Sequence, residues 1–483
     1  MGYEIGRGGL SAEWIKQNTG GKLIYLEDGK ASEIFSGDGE AQILRGLSGN
    51  SRTLTPGEIF IAIHGEQLDG HDYISGAFES GAYAALCDRI PDKLKNGRFI
   101  LTEDTTNAFL RLAMAYKESF DGLKYSVAVT GSVGKTTTKQ LIHSILSQKY
   151  VTLKTEGNYN NLVGVPLTML RIDDSFEAAV FEMGMNSRNE ISRMSRAVKP
   201  DIGVITSIGT AHIGMLGSRE NIRNAKLEIR DGFKTGSILI YNGDEPLLEG
   251  IEGETVSFSR SNASCLISDI SEYNGGSEFD LIIHGKRIKK LRIPVIGRHN
   301  VFNAATASLV GAVLGTDEDQ IRRGLAEFKN VGARQKIYQK NGLTVIEDCY
   351  NASPESMKAA LGVMNSVYSA NAENMGRRIA VLGNMLELGE RSASLHAGLG
   401  EFAAEDADIL FTLGDDAERI AESARKFGLS DCRCYKFSED GKAALKRDLI
   451  NEFRNGDIVL FKASHSIGLE QTAREIFGNS DNG

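Results

Sequence analysis

The chain has 483 residues, with 55 Lys and Arg against 64 Asp and Glu, a formal charge of −9. That length calls for about three domains of ~100–200 residues, and the acidic balance argues against a nucleic-acid or acidic-membrane surface while leaving room for a local basic pocket. Hydrophobic residues at 41% and charged residues at 25% exclude a disordered chain, and 54 Gly against 7 Pro suit many tight strand-to-helix turns.

The N-terminal run MGYEIGRGGLSAEWIKQ has no apolar core of signal-peptide length, and no later run approaches the roughly 18 apolar residues of a membrane span. Cys87, Cys265, Cys349, Cys432 and Cys434 lack the spacing of a zinc site or a disulfide framework and read as reduced thiols. A cytoplasmic protein is expected, with no nucleic-acid partner and no membrane insertion.

Up to residue 108 short segments alternate, and EIFIAIHG and GAYAALCD read as strands. From Tyr125 the rhythm changes. YSVAVTG, AAVFEMG, IGVITSIG and SILIYNGD are four β-rich runs spaced for crossover helices, the signature of a parallel sheet with helices on its faces. This central region closes after DEDQIRRGLAEFKNVGAR, a helix-like stretch ending at Gly332. LTVIEDCYN, RIAVLGNM, DILFTLGD and DIVLFKAS then predict a second open α/β region. The expected domains are 1–108, 109–330 and 331–483, with no Pro-, Gly- or Ser-rich linker marking the boundaries.

The strongest local signal is VAVTGSVGKTTTKQLIHSIL. It predicts a buried strand Val127–Thr130, a loop of Gly131, Ser132, Val133 and Gly134, and a helix from Lys135, so that successive N–H groups and the helix N-terminus face one polyphosphate. Lys135 would reach the β/γ-phosphates, and Thr136, followed by Thr137, would offer its hydroxyl to Mg²⁺. Val129 stands where the full Walker pattern has its first glycine.

Mg²⁺ prefers hard oxygen ligands, so Glu182 at the end of AAVFEMG is a metal candidate, against the alternative of a solvated strand end. His212 in SIGTAHIG fits either a second metal ligand or a structural histidine. Lys226 in NAKLEIRDG is, by itself, only a helix lysine. In GRHNVFNAATASLVGAVLG a small-residue helix is expected from about Asn303. His299 and Asn300 stand where a turn could meet a nucleobase, and capping by Asn303 is the alternative.

Taken together, TGSVGKTTTK, GNYNNLVGVPLTML, FEMGMNSRNEI, SIGTAHIGMLGS with NAKLEI, GRHNVFNA and EDCYNASPESM resemble the Mur ligase family in order and spacing over nearly the whole chain. These are ATP-dependent, amide-forming enzymes of bacterial cell-wall precursor synthesis, and their phosphate loop commonly lacks the first Walker glycine. NSRTLTPGEIFIAIHGEQLDGHDYISGAFESGAYAALCD and VLGNMLELGERSASLHAGLG are most similar to the branch that adds D-alanyl-D-alanine to UDP-N-acetylmuramoyl-tripeptide. The DNPR motif of the preceding ligase is absent from the sequence.

The resemblance implies a small α/β N-terminal domain for the UDP-sugar, a central P-loop parallel-sheet ATPase domain and a C-terminal Rossmann-like domain for the dipeptide, in a monomer. It implies ATP and two Mg²⁺ ions, with Thr136 and Glu182 on one ion and His212 and an N-carbamylated Lys226 on the second. His299 and Asn300 would lie near the nucleotide, and Arg334 and Asp348 would complete the catalytic set with Lys135. Ser51, Arg52, Gly70, His71, Asn160, Asn161, Tyr350, Asn351 and Lys462 would contact the substrates. Asn50, Ser353, Ala463 and His465 depart from the family pattern and affect only fine substrate contacts. The third residue of the acceptor peptide, diaminopimelate or lysine, stays open. The alternatives are a sister ligase, such as a folylpolyglutamate synthase, and a non-catalytic P-loop protein.

Overall fold

The computed structural model describes residues 3–4, 10–33, 43–44, 46–65, 68–273, 275–330, 332, 334–370 and 376–478. Glu66 and Gln67 of the N-terminal block, and Val331 and Ala333 of the NVGAR run, lie outside the described residues. The chain is mixed α/β and folds into two compact units: 1–130 with 150–204 and 227–238, and 131–149 with 205–226 and 239–483.

The first unit holds a seven-stranded sheet in the order Tyr3–Glu4, Gly46–Ser48, Ile59–Ile61, Ala84–Cys87, Gly97–Leu101, Lys22–Glu27, Lys30–Glu33. Its four middle strands are parallel and its outer ones antiparallel. Both runs expected to be strands are strands here. They bury Phe60, Ala62, Ala85 and Cys87 together with Ile74, Ala77 and Phe99. Helix Thr105–Glu118 follows, its start fixed by Asp104 accepting from the Asn107 N–H at 2.7 Å. The same unit carries the parallel strands Thr152–Lys154, Ala178–Glu182 and Tyr125–Thr130. Their side chains are nearly all buried, as expected of strands covered on both faces.

In the second unit, which takes up strand Ile238–Asn242 from Leu239, that strand and Glu254–Ser257 lead into a meander of Cys265–Tyr273, Gly276–Ile283 and Lys286–Ile293. The meander is absent from the sequence reading. In its last strand, KRIKKLRI, exposed charged residues separate the buried Ile288, Leu291 and Ile293, so no apolar run announces it. Helix Glu318–Ala326 lies within the expected helix-like stretch but stops at the C-cap Glu327, short of Gly332, and is closed at its N-terminus by a reciprocal box between Asp317 and Gln320. A six-stranded sheet follows in the order Lys336–Lys340, Leu343–Glu347, Ile458–Lys462, Arg378–Gly383, Ile409–Leu413, Cys432–Tyr435, parallel except for its first strand. All four C-terminal runs are strands in it. All five cysteines are free thiols, and among the described residues no helix is long and apolar enough to cross a membrane.

Candidate active site

After strand Tyr125–Thr130 the chain turns through Gly131 to Gly134 into helix Lys135–Leu146. Only glycine fits the turn. A Cβ on Gly131 would lie 1.9 Å from Thr206 Oγ1, and one on Gly134 2.7 Å from Asn303 Oδ1. The Ser132 N–H donates to Ser207 C=O at 3.0 Å and the Val133 N–H to Ser207 Oγ at 2.9 Å. Those two donors hold the loop, so of the successive N–H groups expected to face a polyphosphate, Ser132 and Val133 are engaged within the protein. At the helix start no side chain caps the N-terminus, so its N–H groups are the part of the turn suited to an anion. Lys135 Nζ curls over the loop and donates to Gly131 C=O at 2.8 Å, while Thr136 is buried at the same turn.

Lys226 ends helix Arg219–Leu227 and is 2% exposed. Burial, reinforced by the positive charge of Lys135, pushes its ammonium well below the ordinary lysine range. Loss of that proton leaves a nucleophilic amine. His212 begins the short turn Ile213–Leu216 with φ of +63°, and its Nδ1 lies 2.7 Å from Glu387 Oε2.

Helix Arg298–Val313 starts five residues earlier than expected, at the N-cap Gly297. Capping by Asn303 is thereby excluded: Asn303 is buried inside the helix and accepts from Thr138 Oγ1 at 3.2 Å. His299 and Asn300 lie in the first turn, where the buried Asn300 amide donates to Ile296 C=O at 2.8 Å and to Gln335 Oε1 at 2.5 Å. Gln335 in turn donates through its N–H to Asp348 Oδ1 at 3.3 Å. Arg334 stacks 3.8 Å over the Tyr350 ring, a cation–π contact that holds the guanidinium beside this group. Lys462 is 1% exposed, and its ammonium donates to Asp348 Oδ2 at 2.6 Å and to the carbonyls of Asp348 and Asn351. The second unit therefore collects Lys135, Thr136, His212, Lys226, His299, Asn300, Arg334, Asp348, Tyr350, Asn351 and Lys462.

Of the other sequence candidates, Ser51, Arg52, Gly70, His71, Asn160, Asn161 and Glu182 belong to the first unit. Glu182 is 2% exposed, so it is not a solvated strand end. Its carboxylate accepts from Asn160 Nδ2 at 2.9 Å. The Asn161 side chain accepts from the Val163 and Gly164 N–H groups and shapes the following turn. At the N-terminal block, Asn50 Oδ1 accepts the Arg52 N–H at 3.0 Å, so asparagine supplies here the acceptor an aspartate would and leaves Ser51 and Arg52 in a defined turn. Gly70 leaves no space for a Cβ, which would stand 2.6 Å from Ile63 N.

His71 is 1% exposed, its Nδ1 2.7 Å from Asp69 and its Nε2 3.1 Å from Asp88. His64 stacks on it at 4.6 Å and 27°. His64, Asp69 and His71 bring ligand atoms within 4.8 Å of one another. Near-parallel rings cannot aim their in-plane lone pairs at one ion, and Arg89 already pairs with Asp69, so the group is an ionic clasp. Sequence reasoning missed this clasp, Gln335 and Glu387. Each acts through a partner distant in the chain, apart from Asp69 with His71, whose spacing was readable.

A P-loop opening a helix, a buried lysine whose charged form is disfavoured and an open α/β sheet carrying an Arg, Asp and Lys group fit an ATP-using ligase. Family models agree. That of the Mur ligase family, catalytic domain, matches residues 44–105, the Mur ligase middle domain 129–311, and the Mur ligase, glutamate ligase domain 333–465. The UDP-N-acetylmuramoyl-tripeptide--D-alanyl-D-alanine ligase of Bacillus subtilis (strain 168) is 39% identical over 90% of this chain and 94% of its own. MurF from Acinetobacter baumannii superposes with a TM-score of 0.85 at 28% identity, covering 98% of this chain and 99% of its own. MurF ligase from Thermotoga maritima in complex with ADP gives 0.76 at 28%, covering 89% and 96%. The chain belongs to the Mur ligase family, in its MurF-type branch.

Proposed function

We propose that the protein joins D-alanyl-D-alanine to UDP-N-acetylmuramoyl-tripeptide at the expense of ATP, releasing ADP and phosphate, as a cytoplasmic monomer in peptidoglycan precursor synthesis. The full-length likeness to the Bacillus subtilis ligase supports the substrates. The observation that carries the chemistry is Lys226, a buried amine beside Lys135 whose charged form is disfavoured. We take 1–108 as the UDP-sugar domain, 109–330 as the ATP domain and 331–483 as the dipeptide domain.

A carboxylate does not acylate an amine at neutral pH, so it must first be activated. The tripeptide carboxylate attacks the γ-phosphate to give an acyl phosphate and ADP, and the dipeptide amine then displaces phosphate from the carbonyl. Two anions meet in the first step, so the chain's part is largely electrostatic. Gly131, Ser132, Val133 and Gly134 shape the loop. Lys135, Thr136, Thr137 and the helix start hold the phosphates, and His299 and Asn300 flank the base. Arg334 offsets the charge shifting onto the leaving oxygens, and Asp348, clamped by Lys462, keeps its neighbours in register. Ser51, Arg52, Gly70, His71, Asn160 and Asn161 serve the UDP-linked acceptor, and Tyr350 and Asn351 the dipeptide.

We take Thr136 and Glu182, each an oxygen donor, as Mg²⁺ ligands, and His212 with N-carbamylated Lys226 as ligands of a second ion; the ions would supply neutralisation of the polyphosphate. Carbamylation turns the Lys226 amine into an anionic oxygen ligand on a long arm. The test is ADP release with ATP, Mg²⁺, bicarbonate, UDP-N-acetylmuramoyl-tripeptide and a panel of dipeptides, each component omitted in turn. Release that needs both the UDP-linked tripeptide and D-alanyl-D-alanine is expected, and slow turnover indifferent to either would overturn the proposal.

A further inference from the structure

Helix Pro354–Ala370 follows the Tyr350–Asn351 pair and opens on a carboxylate the chemistry above does not use, Glu355. Its oxygens share one donor, the buried Thr210 hydroxyl, 3.0 Å from Oε1 and 3.2 Å from Oε2. The carboxylate occupies a niche that glycine leaves beside Thr210, since a Cβ on Gly209 would stand 2.8 Å from Glu355 Cδ. Each end of this contact is fastened to a part of the site. The Gly209 N–H donates to Ser132 Oγ in the phosphate loop at 2.9 Å, and the Thr206 and Ser207 hydroxyls donate to Val133 C=O at 2.5 and 3.1 Å. On the helix side, Ser353 Oγ accepts the Ser356 N–H at 3.3 Å and Ser353 C=O accepts the Met357 N–H at 2.9 Å. Just before them, Lys462 donates to Asn351 C=O at 3.1 Å.

We infer that Glu355 is a positioning residue that seats the start of helix Pro354–Ala370 on the Gly209–Thr210 turn and so sets the Tyr350–Asn351 segment at a fixed place relative to the phosphate loop. This rests on the proposed ligase chemistry, in which Tyr350 and Asn351 serve the dipeptide. The dipeptide amine attacks only from about 3–3.5 Å and in line with the carbonyl, so a small misplacement of its segment is costly. Formation of the acyl phosphate does not need the amine. With the seating lost, that step continues, and water takes the amine's place: its oxygen bonds to the acyl carbon, the bond from that carbon to the phosphate oxygen breaks, and a free carboxylate and inorganic phosphate result. ATP is then spent without an amide.

The test counts ADP released and amide formed by the full chain with ATP, Mg²⁺, bicarbonate, UDP-N-acetylmuramoyl-tripeptide and D-alanyl-D-alanine. The parent should give the two in equal amounts. Glu355→Ala and Thr210→Val remove the contact from either end; each should slow amide formation on the order of tenfold, the worth of a hydrogen bond to a charged group, and slow ADP release much less, so that ADP exceeds amide several-fold. Thr210→Val changes shape least and carries the test if the alanine variant fails to fold. Thr210→Ser keeps the hydroxyl and should return the two products to near-equal amounts. Equal ADP and amide from a folded Glu355→Ala or Thr210→Val protein, whatever its rate, would overturn the inference alone, as would a Thr210→Ser protein no better coupled than Thr210→Val. A parent whose ADP release ignores both tripeptide and dipeptide would overturn the ligase reading and this inference with it.

Discussion

Lys226 and Lys462 are equally hidden from water, 2% and 1% exposed, yet their surroundings are opposite. Lys462, at the end of strand Ile458–Lys462, gives its three protons to a carboxylate and two carbonyls. Lys226, at the end of helix Arg219–Leu227, has burial and a second lysine to contend with, both disfavouring its charge. A buried cation with oxygen partners organises structure, whereas a buried amine beside a like charge is poised for chemistry. The contrast is what separates a structural from a reactive lysine when both come from unremarkable helix and strand ends.

The largest effect should come from removing the reactive one. Lys226→Ala should abolish ligation, on the order of a 10³-fold loss in kcat, while leaving the thermal midpoint nearly unchanged, and short-chain carboxylic acids should restore part of the rate. Full activity of the unrescued variant would erase the distinction between the two sites. The structural lysine should behave the other way. Lys462→Met leaves Asp348 without its cation and should cost about 4 kcal/mol in urea unfolding. The double variant with Asp348→Asn should recover part of that stability but not the activity. A Lys462→Met protein as stable as the parent would show that the clamp is not structural.

Neither lysine's nature was legible from its own neighbours in the chain. NAKLEI and KASHS read as ordinary segments until the family resemblance singled them out, because burial and a facing charge are tertiary facts. The parallel strands were readable since covering both faces forces continuous apolar runs such as VAVT and AAVF. The phosphate loop was readable because its glycines answer a local steric demand, with Thr206 and Asn303 occupying the space a Cβ would need. The start of helix Arg298–Val313 was not, since its N-cap is a glycine without a capping side chain and its first turn is polar. Nor was the bond from Thr210 to Glu355, which no periodicity could link across the chain.

A third buried lysine sharpens the comparison from the side of stability. Lys117, on helix Thr105–Glu118, is 9% exposed, and burial followed by the charge of Lys234 lowers it to about 8, with Asp201 and Glu118 offsetting only part. It is thus intermediate between the satisfied Lys462 and the strongly depressed Lys226. Below pH 8 the group is charged in both folded and unfolded chains, and the fold bears the full cost of keeping it so. Between pH 8 and about 10.4, its ordinary unfolded value, the folded state sheds the proton while the unfolded state keeps it, so stability attributable to this site rises with pH. Lys117→Met should therefore stabilise the protein by about 3 kcal/mol at pH 7, an advantage that shrinks through that window and is gone above it. Urea midpoints of parent and variant at pH 7, 9 and 10.5 measure this directly. A gain independent of pH would mean that the substitution acts through packing alone, and that burial without an oxygen partner is not what depresses a lysine in this chain.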